Sequence, residues 1–299
     1  YYAGNLAEKI IKKTWVVIPC FNNLDVLKKS VPSVYSDKFS IVIYDDGSTD
    51  GTKQWIEENY PNIYYLRGDG NNWWTGSLKK GIDFCLKKDA DYILSLNADV
   101  LVTPETIKKL ILCSIENRNA IVASLVVDVK NPLKVLWAGS KFNLINKLIP
   151  IYSSKYVVKA GKLVDEVSTK PYSVDEVHGR GVLLPRKIFE IIGNYDSKIF
   201  QHYGGATDFS FRAKKAGINM LVDPSCKARV FVENTSLNKK NSGSIYKKIK
   251  NIRNYLFDRK SGEAIYVWWN LYKRHLPRSY RIQSFIFVIT LNIFRRLFN

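Results

Sequence analysis

A chain of 299 residues has room for one large domain or two modest ones around a sizeable core, and its 46% hydrophobic and 24% charged residues exclude a disordered or fibrous chain. The net charge of +19 points to an anionic partner: nucleic acid, a phospholipid surface or a phosphorylated substrate. That charge is uneven. Between Gly243 and Asn299 there are 12 Lys/Arg against Asp258 and Glu263, so about +10 of the total lies in the last fifth of the chain.

Cys20, Cys85, Cys113 and Cys226 are widely spaced, without the pairing of a zinc or redox motif, and read as reduced thiols of a cytosolic protein. The opening YYAGNLAEKIIKK lacks both a signal-peptide core and an initiator Met, so the chain reads as cut or engineered at this end. No stretch reaches the ~18 uninterrupted apolar residues of a spanning helix. Internal repeats and low-complexity segments are absent.

In chain order, TWVVIPC (14–20) predicts a buried strand and LDVLKKSVPSVY a helix. Strand FSIVIYDD, helix GTKQWIEENY and strand IYYLRG follow, then helix SLKKGIDFCLKK and strand ADYILSLNAD. Thr103 as N-cap, Pro104 at the first helical position and Glu105 start the next helix. Strands alternating with helices predict a doubly wound, mostly parallel α/β sheet, with ligands at the carboxyl ends of its strands. The second half mixes strands (AIVASLVV, KVLWAGS, GRGVLLP) with short helices (RKIFEIIG, FSFRAKKAG), as an added substrate-binding half would. NKKNSGS reads as a linker, followed by a basic, aromatic-rich helical tail.

The polar clusters fall on strand ends: Pro19-Cys20-Phe21, Asp45-Asp46-Gly47-Ser48 and Asn97-Ala98-Asp99. A carboxylate at Asp99, two residues after Asn97, suits a hard divalent cation held by few protein oxygens, or else caps a turn. Asp45 suits a ligand role on a base or ribose, whereas Asp50 or Ser48 suits capping of the next helix. The loop from Arg67 to Gly76 carries Asn72 and the pair Trp73-Trp74; one ring is expected in the core and the other over a sugar or base.

VVIPCFNN, IVIYDDGSTDGT, NNWWTGSLKKGID and LSLNADV, in this order and spacing, resemble the nucleotide-sugar half of the family 2 glycosyltransferases, which have the GT-A fold. VHGRGVLLPRKIFEIIGNYDSKIFQHYGGATDFSFRAKKAG is similar to the acceptor half of their rhamnosyltransferase-like branch, and the resemblance covers about residues 14–220. It implies that Pro19 and Phe21 flank the nucleotide base, and that Asp45, with Asp46, reads it. Asn72 and Trp74 then belong to the donor loop. Asn97-Ala98-Asp99 matches a metal-binding DxD motif in variant form, with Asp99 as the metal-bound carboxylate for Mn²⁺ or Mg²⁺. Arg180, His202 and Tyr203 fall on the acceptor side; His202, four residues before Ala206, suits contact with the acceptor or the leaving diphosphate, or else a surface or hydrogen-bonded structural role. A late His that often supplies a metal ligand is replaced by VFVENTS around Glu233, which leaves a third protein ligand unassigned.

In the same family a carboxylate in a motif reading roughly E-D-x-D-L, followed by an arginine, deprotonates the acceptor. Gly205-Ala206-Thr207-Asp208-Phe209, with Arg212 beyond, occupies that frame. Ala206 takes the position of the base and Asp208 that of the second acid at the helix start. A methyl group supplies none of the ~10²–10⁴-fold that a positioned base contributes. Three explanations stand: a deliberate Asp→Ala substitution, a displaced register with Asp208 as base, or a natural relative that only binds.

Residues 244–299 interleave basic and aromatic groups, which suits an anionic membrane surface, a nucleic-acid surface, or a helical cover on the core. His275 in this tail is expected to be solvated. The sequence as a whole reads as a GT-A domain over 1–238, with donor half 14–125 and acceptor half 126–238, and a helical extension over 239–299. The expected activity is inverting, metal-assisted transfer from a UDP-, dTDP- or GDP-linked sugar to a glycan or lipid-linked glycan of the bacterial surface. The expected place is the cytoplasm, peripherally at the inner face of the cell membrane, with no nucleic-acid partner. The competing readings are a non-catalytic nucleotide- or sugar-binding relative and a nucleic-acid-binding protein.

Overall fold

The structure is a computed structural model that describes residues 13–144, 152–231, 252–262 and 264–298. One sheet organises it, in the strand order β10-β12-β6-β11-β4-β1-β2-β3. Its parallel heart joins β1 (Thr14–Cys20) to β2 (Ser40–Asp45) on one side and to β4 (Tyr92–Leu96) on the other, with β3 (Tyr64–Arg67) beyond β2. β11 (Arg180–Pro185) enters antiparallel between β4 and β6 (Ile121–Asp128), and β12 (Met220–Val230) then runs parallel to β6. Six of these seven strands therefore point the same way. β5 (Val100–Leu101), β7 (Val135–Trp137) and β10 (Tyr172–Ser173) are short antiparallel additions, and β8 (Ser140–Leu144) pairs with β9 (Tyr152–Tyr156) outside the sheet.

The sheet is parallel where its strands are apolar throughout. β1 is buried at every position, as a strand covered on both faces must be. Around it pack α1 (Leu24–Val34), α2 (Thr52–Asn59), α3 (Trp73–Lys87) and α4 (Pro104–Glu116). α4 begins as its sequence dictates: Pro104 opens it and the Thr103 side chain accepts the Thr106 amide. α5 (Arg186–Ile192) and α6 (Gly205–Lys215) complete the second half. Two helices start earlier than the sequence pattern suggested. α3 includes both tryptophans, and α6 takes residue 206 into its first turn. In α3 the Asp46 carboxylate accepts the amides of Asn72 and Trp73, giving that end a cap from another strand end.

All four cysteines are buried free thiols. The linker around 238–244 and Glu233 lie outside the described residues. Beyond them, a helical turn over 252–257 leads to α7 (Ile265–His275) and α8 (Arg278–Phe298). α7 is a cover on the core. Val267, Leu271, Tyr272 and Leu276 bury against Phe200 in a second, smaller apolar cluster. Among the described residues no helix is long and apolar enough to cross a membrane.

Candidate active site

A cleft of about 870 Å³ opens at the carboxyl ends of β1 and β4, lined among others by Pro19, Asn23, Lys29, Trp74, Asp99 and His202. A second chamber of about 360 Å³ shares Pro19, Asn23, Trp74 and His202 with it, and adds Phe21, Asp46, Trp73 and Lys260. Parallel sheets present their strand ends and helix N-termini on one side, so segments distant in sequence meet there.

The two acids after β2 face different ways. Asp45 is fully buried: its carboxylate accepts the Ser48 amide at 2.8 Å and hydroxyl at 2.5 Å, accepts the Tyr65 hydroxyl, and lies 3.8 Å from the Arg67 guanidinium. Asp46 lines the smaller chamber while holding Gly70, Asn72 and Trp73. The Asn72 side chain donates to Asp46 and Asp69, so it fixes the loop and lines neither chamber. Asp50 accepts the Thr52 amide and hydroxyl and the Leu24 amide, which ties the starts of α1 and α2. Burial alone would raise its carboxyl; these hydrogen bonds outweigh that and hold it below the ordinary value.

The tryptophans divide as their neighbours require. Trp74 packs partly against the core and its indole donates to Asn97 Oδ1 at 2.8 Å. Gly179 makes that reach feasible, because a Cβ there would lie 2.2 Å from the Trp74 ring. Trp73 adopts φ +52 and lies in the smaller chamber, its ring 4.6 Å from Lys260 Nζ.

Asp99 is half-buried in the larger chamber, and no side chain among the described residues hydrogen-bonds it. Burial pushes its carboxyl above the ordinary value, partly offset by Arg180. Among the described residues no group of three or more His, Cys, Asp or Glu is arranged to hold a metal ion. The donor set fits a different mode. Asn97 Oδ1 is taken by Trp74 and Asp50 by Leu24 and Thr52, while Asp99 is an under-compensated carboxylate of the cleft, which Asp25 also lines. One carboxylate plus diphosphate oxygens and water is a common way to hold Mg²⁺ or Mn²⁺.

α6 is tied to this cleft through α3. The Thr75 hydroxyl donates to the His202 carbonyl at 3.2 Å, the Gln201 carbonyl accepts the Thr75 amide at 3.1 Å, and His202 Nδ1 accepts the Trp74 amide at 3.4 Å. Burial first, and Lys260 second, hold the His202 imidazole below its ordinary value, so it is neutral with its proton on Nε2. Position 205 is glycine because a Cβ would meet Thr75 atoms at 2.7 Å. Ala206 follows, half-buried, in the first turn of α6. Thr207 then donates to the buried Glu176 at 2.7 Å.

Asp208 is turned away from the cleft. Fully buried, it accepts from Arg212 Nε at 2.9 Å and His275 Nε2 at 2.7 Å, with Arg274 at 3.1 Å. These partners occupy its carboxylate. They also correct the expectation of a solvated His275. Its ring is buried and stacks on Phe211 at 4.7 Å. His178, 5.0 Å from the Trp137 ring, is held below its ordinary value by burial, and Arg180 is half-buried beside it. Tyr203 stacks edge-on against His202.

Sequence reasoning did not single out Lys29, Glu176 or Lys260. Glu176 and Arg180 flank His178 at alternate positions of an extended run, a period that marks one face. Lys260 carries no local signal, since it lies 58 residues from His202 and 187 from Trp73, which it joins.

Residues 15–181 match the Glycosyl transferase family 2 profile, and the chain belongs to that family. It is 25% identical over 196 residues to the low-salt glycan biosynthesis hexosyltransferase Agl10 of Haloferax volcanii, a match covering 64% of this chain and 59% of that protein. It is also 34% identical over 92 residues to an uncharacterized glycosyltransferase of Mycoplasma pneumoniae, across 28% of this chain and 30% of that one. Its fold is similar to that of GalNAc-T7, solved with UDP, GalNAc and Mn²⁺: TM-score 0.55 at 15% identity, over 93% of this chain and 54% of that one. The chain thus spans little more than half the length of these two larger proteins. The shared architecture is the GT-A arrangement expected from the motifs, with the C-terminal helices added.

Proposed function

We propose that the chain is an inverting, cation-assisted glycosyltransferase of the rhamnosyltransferase-like branch. It takes a sugar from a nucleoside diphosphate (UDP, dTDP or GDP) to a hydroxyl of a bacterial surface glycan or lipid-linked acceptor. Ala206 leaves this form without its base. The observation that carries the reading is the meeting of Pro19, Trp74, Asp99 and His202 in one cleft; residue 206 lines neither chamber and follows His202 by four residues, in the first turn of α6. The glycan-building relative and the UDP- and Mn²⁺-bound structural neighbour support the substrate class.

In this arrangement Phe21, Trp73 and Asp46 border the base, while Asp45 holds the loop that shapes their chamber. Asp99 holds a divalent cation, which when bound neutralises charge on the departing diphosphate. His202, neutral and with Nε2–H as its donor, hydrogen-bonds diphosphate oxygens or the acceptor. Arg180 meets the acceptor. The acceptor proton has no carboxylate to receive it at 206, which is why turnover is expected to be slow.

α8 supports attachment to an anionic membrane. Ile282, Ile286 and Phe294 are exposed on α8, which also exposes Arg278 and Arg295. On this reading the enzyme works peripherally at the cytoplasmic face, with lipid rather than nucleic acid as the anionic partner of the tail.

The decisive variant is Ala206→Asp. An acid in the first turn of α6 agrees with the helix dipole, whereas Ala206 is half-buried against the core, so melting is measured alongside transfer. Transfer from a panel of nucleotide sugars should rise by roughly 10²–10⁴-fold. A second reading, a relative that binds without reacting, rests on Gly205, whose crowding by Thr75 leaves no room for the first acid of the motif. Unchanged transfer in Ala206→Asp, with nucleotide binding intact, would favour it and refute the base assignment.

A further inference from the structure

The C-terminal segment reaches the cleft. Lys260 lines the smaller chamber alongside Phe21, Asp46, Gly70 and Trp73, yet it lies beyond the whole sheet in sequence. Its position is built. Asp258 accepts the Lys260 amide at 2.8 Å, and its carbonyl accepts the Ser261 amide at 2.9 Å. The Gly262 carbonyl accepts the Trp268 indole N–H at 2.9 Å, which ties the turn to α7. The ring of Tyr203, beside His202, packs against Gly262. The turn therefore rests on the acceptor-side loop and aims one cation over the Trp73 ring.

The charges around the cleft call for such a cation. The larger chamber brings Asp25, Asp50 and Asp99 together against Lys29, and the smaller one adds Asp46. A nucleoside diphosphate carries about three negative charges, and one carboxylate-held divalent cation leaves part of that charge uncompensated. His202 borders both chambers and is neutral, so it donates a hydrogen bond without charge. Lys260 and His202 line the smaller chamber together, close enough for the ammonium to disfavour protonation of the imidazole. We propose that Lys260 is a diphosphate-binding residue supplied by the C-terminal segment to the donor site. The inference rests on the donor reading above and makes the C-terminal helices part of the nucleotide site as well as a membrane attachment.

Isothermal titration of the whole chain with UDP, dTDP and GDP in the presence of Mn²⁺ selects the tightest nucleotide. That diphosphate, its monophosphate and its nucleoside are then compared in wild type, Lys260→Gln and Lys260→Arg. Loss of a charge-assisted contact should weaken the diphosphate by about 10- to 100-fold in Lys260→Gln, while the nucleoside changes by less than about twofold. Lys260→Arg, which keeps the charge, should stay within about threefold of wild type. The gap between Gln and wild type should narrow as salt rises. Diphosphate binding by Lys260→Gln within twofold of wild type would overturn the assignment and leave the donor reading standing. Equal weakening of nucleoside and diphosphate would also overturn it, since Lys260 would then act only by packing on Trp73. If wild type binds none of the three diphosphates, the donor reading and this inference fail together.

Discussion

Asp208→Asn separates a structural acid from a catalytic one. In the wild type this carboxylate takes three cationic or imidazole donors at 2.7–3.1 Å while fully buried. Burial alone would raise its carboxyl, but the His275 hydrogen bond and the Arg212 and Arg274 charges hold it below the ordinary value. Asn preserves the shape and removes the charge. Breaking a buried ion pair on one side costs roughly 3–5 kcal/mol. Two features move the value here to the low end. Arg274 is 37% exposed and keeps Asp196 at 2.8 Å, and Arg212 keeps the carbonyls of Ile192 and Asn194. About 3 kcal/mol is expected, which for a chain of this size lowers Tm by roughly 5 °C in calorimetry. Nucleotide affinity should remain within about twofold, because the acid lines neither chamber. The same network makes the protein acid-sensitive. Burial holds the His275 imidazole below its ordinary value of 6.5, although Asp208 opposes this. Its Nδ1 has no partner among the described residues, so a proton there would be an unsatisfied buried donor. With folded values of both groups depressed, the stability they contribute is present near pH 7 and lost as pH falls, first through His275. A Tm slope between pH 7 and 5 that flattens in His275→Gln would report this. The reasoning is refuted if Asp208→Asn melts like wild type, or if in an Ala206→Asp background it abolishes transfer with melting unchanged.

Two further outcomes follow from the cleft and from α8. Asp99→Asn should remove most of the gain in nucleotide affinity that Mn²⁺ confers, by at least about tenfold, while metal-free binding stays close to wild type; an undiminished Mn²⁺ effect in titration would move the cation elsewhere. Ile282→Asn with Ile286→Asn removes two side chains that are 62% and 58% exposed. Inserting the exposed part of each into a bilayer gives about 1 kcal/mol, so flotation on anionic liposomes should weaken roughly 30-fold for the pair. Equal flotation of the pair and wild type would reject α8 as the attachment.

What the sequence made legible is what local pattern controls. The apolar run at 14–20 and the Thr103-Pro104 start reappear at the expected residues because burial and capping act within a few positions. The strand-end clusters meet because parallel strands deliver their ends to one side whatever the details of the loops. Side-chain direction was less accessible. Asp45 and Asp46 are adjacent and chemically identical, yet opposite faces of the strand end send one into the loop and the other to the chamber. Asn97 was legible as a neighbour of Asp99, but its occupation by Trp74 depends on Gly179, 82 residues away.

The C-terminal helices show where the limit lies. Their composition describes a basic, aromatic surface, and for the outer side of α8 that description holds. For α7 it misleads, because His275 and Arg274 resemble solvated tail residues until a buried acid is known to face them. Asp208 supplies that acid from the same turn of helix that carries residue 206. One side of α6 is therefore bound to the donor cleft through Thr75 and His202, and the other to α7 through Asp208. Any movement of α7 must be accommodated at both. The helix that holds the proposed catalytic position is thus set jointly by α3 with its cleft and by the C-terminal helices, which is the physical reason to treat the latter as part of one working unit.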